Sequence, residues 1–330
     1  MRKENGMDNC LVTGGFGFVG RFLVRMLVER GDRVTVFDRT PGSPYLDDIS
    51  DRFNVKLGDF ENFVHVTEAV RENEIDTIYH VGALIPPRSE WDPSFCFGAN
   101  VVGTYNFLEA ARLFRVPNFI AASTQSTYSD GDRFIPDDYT QKPNTFYGTT
   151  KVCAERLGEA YWQHYGVNFR AVRYCIVNGP GRGGTTPGMF VVWTLQQAAL
   201  GRPFKVFVEP HVEVASIYVK DAAKALIDLR EADESRLTRR IYNSMGYTVT
   251  ARQLVDVAKK YVPDADLSFR VNQDMMRKIR SLSLDRVMDI EPARRDFNYR
   301  PMYDLDATMQ DYIAEVRAHR ELIDRPIPEF

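Results

Sequence analysis

Thr13-Gly14-Gly15-Phe16-Gly17-Phe18-Val19-Gly20 is the stretch whose reading decides the fold. It follows the apolar run Cys10-Leu11-Val12 and opens into Arg21-Phe22-Leu23-Val24-Arg25-Met26-Leu27, so it reads as strand, tight turn, helix. Gly14 permits the turn, Gly17 lets a ligand approach the backbone, and Gly20 allows helix and strand to pack closely. The helix start then offers unpaired N–H groups and a positive dipole end to an anion. Gly14, Gly15, Phe16, Gly17, Phe18, Val19 and Gly20 together predict a dinucleotide cradle.

Outward from this turn, Gly31 ends the first helix, and Arg33-Val34-Thr35-Val36-Phe37 forms the next strand, closing at Asp38. A carboxylate there accepts hydrogen bonds from adenosine ribose hydroxyls and repels a 2′-phosphate, which favours NAD over NADP. Arg39 beside it is the residue type that welcomes a 2′-phosphate, so it pulls the other way. Later strands are expected at Val55–Leu57, Thr77–Val81, Asn118–Ala122 and Phe169–Tyr174, with helices over Asn100–Phe114 and Thr149–Tyr165. Alternating strands and helices with continuous apolar strands predict an α/β fold with a doubly wound parallel sheet.

After Gly179 the alternation breaks at a glycine- and proline-rich loop running to Gly188, and helices follow at Phe190–Leu200, Asp221–Glu231 and Thr250–Tyr261. The expected organisation is a dinucleotide-binding domain over 1–179 and a smaller, mostly helical substrate lobe over 180–330, some of whose segments return to the large domain. The sequence shows no internal repeats and no low-complexity tracts.

The 330 residues, 44% hydrophobic and 26% charged, suit a globular protein with a substantial core. A net charge of −3 gives no electrostatic case for nucleic acid or an anionic membrane. The first residues, Met1 to Gly6, lead directly toward the first strand, and no apolar run approaches the roughly 20 residues of a membrane span. Cys10, Cys96, Cys153 and Cys175 are far apart and read as small buried thiols, which places the chain in a reducing cytoplasm. The five histidines show no ligand spacing, so no metal is expected.

Tyr147-Gly-Thr-Thr-Lys151 puts a phenol and an ammonium on one helix face, since residues four apart lie on the same side. A secondary alcohol that gives up hydride must also lose a proton, and a free tyrosine with pKa of about 10 is a poor base at neutral pH. A lysine one turn away favours the phenolate and can also hydrogen-bond the nicotinamide ribose. With the glycine turn upstream, this pair predicts hydride transfer between a nicotinamide and a secondary alcohol, Tyr147 being the base.

These motifs resemble those of the extended short-chain dehydrogenase/reductase family, which includes nucleotide-sugar epimerases, dehydratases and short-chain L-threonine dehydrogenases. The resemblance covers nearly the whole chain and implies a Rossmann-type fold. His80-Val81-Gly82-Ala83 resembles the family's HxAA strand end, and Asn100-Val101-Val102-Gly103-Thr104 its NVxGT helix, which implies that Val81, Gly82, Ala83 and Asn100 lie beside the cofactor. Gly58-Asp59-Phe60 looks like the segment that contacts adenine, although Asp59 reads equally well as a helix N-cap. Ser123-Thr124-Gln125-Ser126-Thr127-Tyr128-Ser129 stands at the family's SSxxVYG, and Thr124 thereby takes the place of the catalytic Ser/Thr that hydrogen-bonds the reacting oxygen.

Departures from the pattern narrow the chemistry. Gln125-Ser126 stands where 4,6-dehydratases carry Asp-Glu, so the proton carriers for water loss are missing. Ile176 stands where epimerases place an asparagine on the sugar diphosphate. Gly183-Gly184-Thr185-Thr186, Ser216 to Ala222, Tyr242 to Thr250, Arg294 to Tyr299 and Tyr303-Asp304-Leu305 look like segments of threonine dehydrogenases. Leu284, however, stands at that group's pocket tryptophan, and Leu84-Ile85-Pro86-Pro87-Arg88 lacks its substrate serine.

The substrate contacts expected are Thr124, Tyr147, Arg88, Arg182, Thr185, Thr186 and Glu213. An arginine facing the pocket would imply a carboxylate on the substrate, because guanidinium grips carboxylate with two prongs. The expected activity is an NAD-dependent dehydrogenase acting on a hydroxy acid, an amino alcohol acid or a sugar derivative. The alternatives are a nucleotide-sugar 4-epimerase with tightly bound NAD and a non-catalytic cofactor sensor. Apolar residues on more than one face of the 100–114 and 149–165 helices further predict a homodimer.

Overall fold

A computed structural model describes residues 7–128, 132–282, 284–323 and 327; Met1 to Gly6 and Ser129 lie outside the described residues. The chain begins with β1 (Asn9–Thr13), α1 (Phe18–Arg30), β2 (Arg33–Asp38), β3 (Phe53–Leu57), α2 (Phe63–Glu72) and β4 (Thr77–His80). Two short helices, α3 (Arg88–Trp91) and α4 (Pro93–Phe97), lead through one π-helical turn (Gly98–Val102) into α5 (Gly103–Leu113). Next come β5 (Asn118–Thr124), β6 (Phe134–Ile135), α6 (Phe146–Tyr165), β7 (Asn168–Tyr174) and β8 (Ile176–Asn178). The remainder comprises α7 (Met189–Leu200), β9 (Phe204–Val206), β10 (Glu213–Tyr218), α8 (Val219–Glu231), β11 (Ile241–Ser244), β12 (Tyr247–Thr250), α9 (Ala251–Tyr261), β13 (Leu267–Phe269), α10 (Gln273–Ser281), β14 (Val287–Met288), α11 (Glu291–Phe297), α12 (Leu305–Ala318) and α13 (Arg320–Ile323).

Seven parallel strands form the central sheet in the order β3-β2-β1-β4-β5-β7-β11. The order reverses beside β1, which opens a crevice at the carboxyl ends of β1 and β4. Successive residues of β1 feed opposite faces, as a period of two requires: Cys10 and Val12 join one core, Leu11 the other. Helices α1 and α8 share the first face, and α2, α5 and α6 the second.

The distal half is interleaved with the proximal one. Strand β11 completes the large sheet beside β7, and α8 is tied back to it where Arg170 donates to the carbonyl of Leu229 (2.6 Å) and Tyr174 to that of Ala222 (2.6 Å). A small sheet, β12-β10-β8, carries the chain out toward the lobe built on α7, α9 and α12.

Two boundaries differ from the sequence reading. Helix α6 starts at Phe146, because Thr145 caps it by accepting from the Gly148 amide at 3.0 Å. The segment expected as one helix from Asn100 is broken at its start by the π turn, and the Asn100 side chain there is committed to a neighbouring loop.

Candidate active site

The glycine turn builds a cradle that side chains would fill. Gly14 has φ +66°, and a Cβ there would lie 2.5 Å from the Gly82 Cα; a Cβ on Gly20 would lie 2.1 Å from the Gly14 carbonyl oxygen. Among the described residues no side chain caps the N-terminus of α1, and no acidic residue sits in its first turn. Its amides are therefore free to meet an anion. Asp38 ends β2 at the lip of the turn, where it accepts from the Phe16 amide (3.1 Å) and from Thr40. This donor set fits a dinucleotide: bare backbone for the pyrophosphate and a carboxylate for the ribose.

Arg39 is half-exposed, lies over the Phe95 ring (4.8 Å) and approaches Asp59 at 3.7 Å. Asp59 is not the helix cap; Asn62 is, accepting from the amides of Val64 and His65, while Asp59 turns the chain by accepting from Glu61. The Phe60 ring packs among Phe37, His80 and Phe107, so it forms wall rather than surface. Asn100 is not aimed into the groove either. Its amide clamps Leu84 by accepting from that residue's N–H (2.7 Å) and donating to its carbonyl (3.0 Å), and it also reaches Thr150 (3.1 Å). His80, at the end of β4, bridges the hydroxyls of Thr13 (2.9 Å) and Thr104 (3.0 Å); burial drives its pKa down to about 3, so it is neutral.

Thr124, Tyr147 and Lys151 converge at the carboxyl end of β5 and the first turns of α6. Burial pushes the Tyr147 phenol well above its ordinary pKa; a hydrogen bond with Thr124 and the Arg182 guanidinium pull it back. Burial also pushes the Lys151 ammonium down to about 8, against the pull of the Glu155 carboxylate. Sequence reasoning assigned the cation acting on the phenol to Lys151; in the structure the cation that lowers the phenol's pKa is Arg182, which lies over the Phe18 ring (5.8 Å) and donates to the Val177 carbonyl.

Arg182 is the one arginine of the two candidates whose charge bears on the Tyr147 phenol. Arg88 is exposed and lies over the Phe95 ring at 4.8 Å, the ring that Arg39 also covers. Glu213 is an ion-pair partner of Arg133, which fastens β10 beside the segment before β6. Thr185 is exposed and Thr186 half-buried in the loop before α7, where Gly184 takes φ +141°.

Behind Lys151 lies a polar layer that sequence reasoning missed. Glu155 accepts from Ser123 (2.5 Å), Gln141 (2.6 Å) and twice from Arg173 (2.8 and 2.7 Å). Burial alone would raise the Glu155 carboxyl pKa, but Arg173 and the two further donors hold it below its ordinary value. Its position one turn beyond Lys151 was the available signal. Among the described residues no group of His, Cys, Asp or Glu could hold a metal ion, and no helix is long and apolar enough to cross a membrane.

A glycine turn at the crevice of a doubly wound sheet, with Tyr147 and Lys151 buried and Thr124 half-buried near it, matches one class: a Rossmann-fold oxidoreductase that uses a nicotinamide dinucleotide. The NAD dependent epimerase/dehydratase family matches residues 10–244, and the chain belongs to it. A mitochondrial L-threonine 3-dehydrogenase of Sus scrofa is 30% identical over 92% of this chain and 81% of its own length. The L-threonine dehydrogenase of Clostridium difficile superposes with a TM-score of 0.85 at 25% identity, covering 96% of this chain and 99% of that one. The UDP-glucose 4-epimerase of Thermotoga maritima shares the fold, with a TM-score of 0.81 at 21% identity over 94% and 99%. The protein is an NAD-dependent oxidoreductase of the extended short-chain dehydrogenase/reductase type.

Proposed function

We propose that the protein is a dehydrogenase that oxidises a small secondary alcohol bearing a carboxylate, with Tyr147 as general base. The 3-hydroxy amino acids, of which threonine is the type, are the first class to test, because two of the three relatives just described are named for threonine. The observation that carries the reading is Arg182, a guanidinium whose charge acts on the Tyr147 phenol from the loop after β8. A carboxylate seated on Arg182 would bring its neighbouring hydroxyl toward Tyr147.

When bound, NAD supplies the acceptor for the hydride that leaves the carbinol carbon. The protein handles the proton. Tyr147 Oη takes it from the substrate hydroxyl, and Thr124 donates a hydrogen bond to the same oxygen as it becomes a carbonyl. Lys151 and Arg182 favour the phenolate that this transfer needs, and burial around Tyr147 keeps water from competing for the proton. Gly14, Gly17 and the α1 N-terminus would hold the pyrophosphate, and Asp38 the adenosine ribose.

Ile176 speaks against an epimerase. It is buried and faces Gly188, whose added Cβ would come within 2.9 Å of it, so an apolar wall stands where a sugar diphosphate would need a hydrogen-bond partner. The test is a panel of 3-hydroxy amino acids, simple hydroxy acids and nucleotide sugars, read by absorbance at 340 nm. Stoichiometric NADH from a carboxylate-bearing alcohol supports the proposal. Interconversion of nucleotide sugars without net NADH would make it an epimerase, and NAD binding without turnover of any member would leave a sensor.

The homodimer is part of the same reading. Tyr105, Leu113 and Phe114 on and just after α5, and Trp162 and Tyr165 on α6, stay exposed within the chain while Phe107, Leu108 and Tyr161 are buried. A two-fold contact through α5 and α6 would cover them. Light scattering at micromolar concentration tests it, a monomer mass being the contrary result. The four free thiols, three of them buried, suit the reducing cytoplasm.

A further inference from the structure

Helix α6 carries the phenol on its second residue, and its entry is held by more than its own cap. Thr145 takes the Gly148 amide. The two amides before it, those of Phe146 and Tyr147, both donate to a single carboxylate, Glu90, at 2.9 Å (Oε2) and 3.1 Å (Oε1). Ser89, fully buried beside it, donates its hydroxyl to Glu90 Oε1 at 3.0 Å. Both carboxylate oxygens thereby accept hydrogen bonds, Oε2 from Phe146 and Oε1 from Tyr147 and Ser89.

Glu90 sits in α3, on the segment that leaves β4. That segment begins at Val81–Ala83, where Gly82 backs onto the Gly14 turn, and is gripped at Leu84 by the Asn100 amide. It therefore spans from the wall of the cofactor groove to the backbone N–H of the residue that bears the phenol, with a clamp at each end. We propose that Glu90 is a positioning residue for Tyr147: its carboxylate fixes the first turn of α6 against the β4 exit segment and so sets the phenol's place relative to the cofactor groove. The inference rests on Tyr147 being the base.

Stability of α6 does not call for this bond. The helix is long, capped by Thr145 and packed against α5, β5 and β7. Glu90 itself is exposed, so its carboxylate gives up little hydration on making the contact. The first-turn amides of a helix otherwise lack partners, and the dipole there favours an anion, which makes a carboxylate a strong and directional latch. A misplacement of the reacting group by about 1 Å costs on the order of 10²-fold in rate, so a latch of this kind is read in turnover before it is read in folding.

The test uses Glu90→Ala and Glu90→Gln in the full chain, with the alcohol from the panel that gives the fastest NADH release. The expected result for Glu90→Ala is a fall in kcat of about 10- to 100-fold, with the Kd for NAD and the Tm unchanged. Glu90→Gln keeps one carbonyl oxygen to accept an amide and should recover part of the loss. Exchange of the Phe146 and Tyr147 amides, followed by mass spectrometry of the peptide spanning them, should accelerate in Glu90→Ala and partly recover in Glu90→Gln. Unchanged kcat in Glu90→Ala would overturn the proposal, and so would a loss of NAD affinity and Tm in step with kcat. Tyr147→Phe in parallel separates the two ideas: an active Tyr147→Phe defeats the base assignment, whereas an inactive one beside a fully active Glu90→Ala defeats only the latch.

Discussion

The two halves of this active site are built to see their ligands in different ways. On the cofactor side the proposed recognising surface is backbone, at a turn where Gly14 and Gly20 leave no room for a Cβ. On the substrate side the proposed surface is a handful of side chains, chiefly Thr124, Tyr147, Lys151 and Arg182, drawn from the end of β5, the start of α6 and the loop after β8. Backbone recognition writes itself into the sequence as glycine at fixed spacing. Side-chain recognition does not, because an arginine in a loop reads the same whether it faces substrate or solvent.

The largest effect should come from filling the backbone surface. Gly20→Val would drive a side chain into the Gly14 carbonyl and should weaken NAD binding by more than about 10²-fold with the fold retained; titration of NAD by fluorescence checks it. If binding survives, the cradle is not where the cofactor is held, and the contrast between the halves collapses.

The substrate side should respond selectively. Arg182→Ala should raise KM for a carboxylate-bearing alcohol by about 10- to 100-fold, as expected for a lost charge-assisted hydrogen bond, while leaving the Kd for NAD unchanged. An equal loss on alcohols with no carboxylate would mean that Arg182 acts on the phenol alone.

Legibility followed the same divide. Strands β1 and β2, helix α1 and the Asp38 carboxylate were all readable, because their signals are local: apolar runs, glycines and a strand end. That Tyr147 and Lys151 share one helix was readable, because a single turn joins them. Arg88, Arg182 and Glu213 could not be ranked, since what separates them is position in space; the charge of one bears on the phenol, one lies over Phe95, and one pairs with Arg133. Glu90 left no trace, its partners lying far along the chain at the head of α6. Nor did β11, a short strand whose place beside β7 is decided by tertiary pairing. Asp59 and Asn62 are both good cap residues, and only the geometry of the turn picks Asn62.

Asp38→Ala sharpens the comparison from a side chain proposed for the cofactor side. It should weaken NAD about tenfold and narrow the preference over NADP, measured as the ratio of kcat/KM for the two cofactors. Equal use of both by the unaltered enzyme would give Arg39 the deciding role.

The last effect does not touch turnover at neutral pH. His80 is held neutral with a pKa of about 3, below its ordinary value of 6.5. Between those values the unfolded chain binds a proton that the folded one refuses, so this contribution is complete above pH 6.5 and is lost as pH falls toward 3, by about 1.4 kcal/mol per unit. Tm measured against pH should therefore fall less steeply below 6.5 in His80→Asn than in the parent; identical slopes would show that His80 is not the buried neutral bridge between Thr13 and Thr104.

The central claim, that backbone holds the cofactor while Tyr147 moves the proton, meets its most direct test in Tyr147→Phe, which removes one oxygen and nothing else. NAD affinity and turnover should be measured on the same preparation. The account predicts an unchanged Kd for NAD and a kcat lowered by about 10² to 10⁴. Turnover above about a tenth of the parent's, a loss far smaller than a missing general base causes, would contradict it.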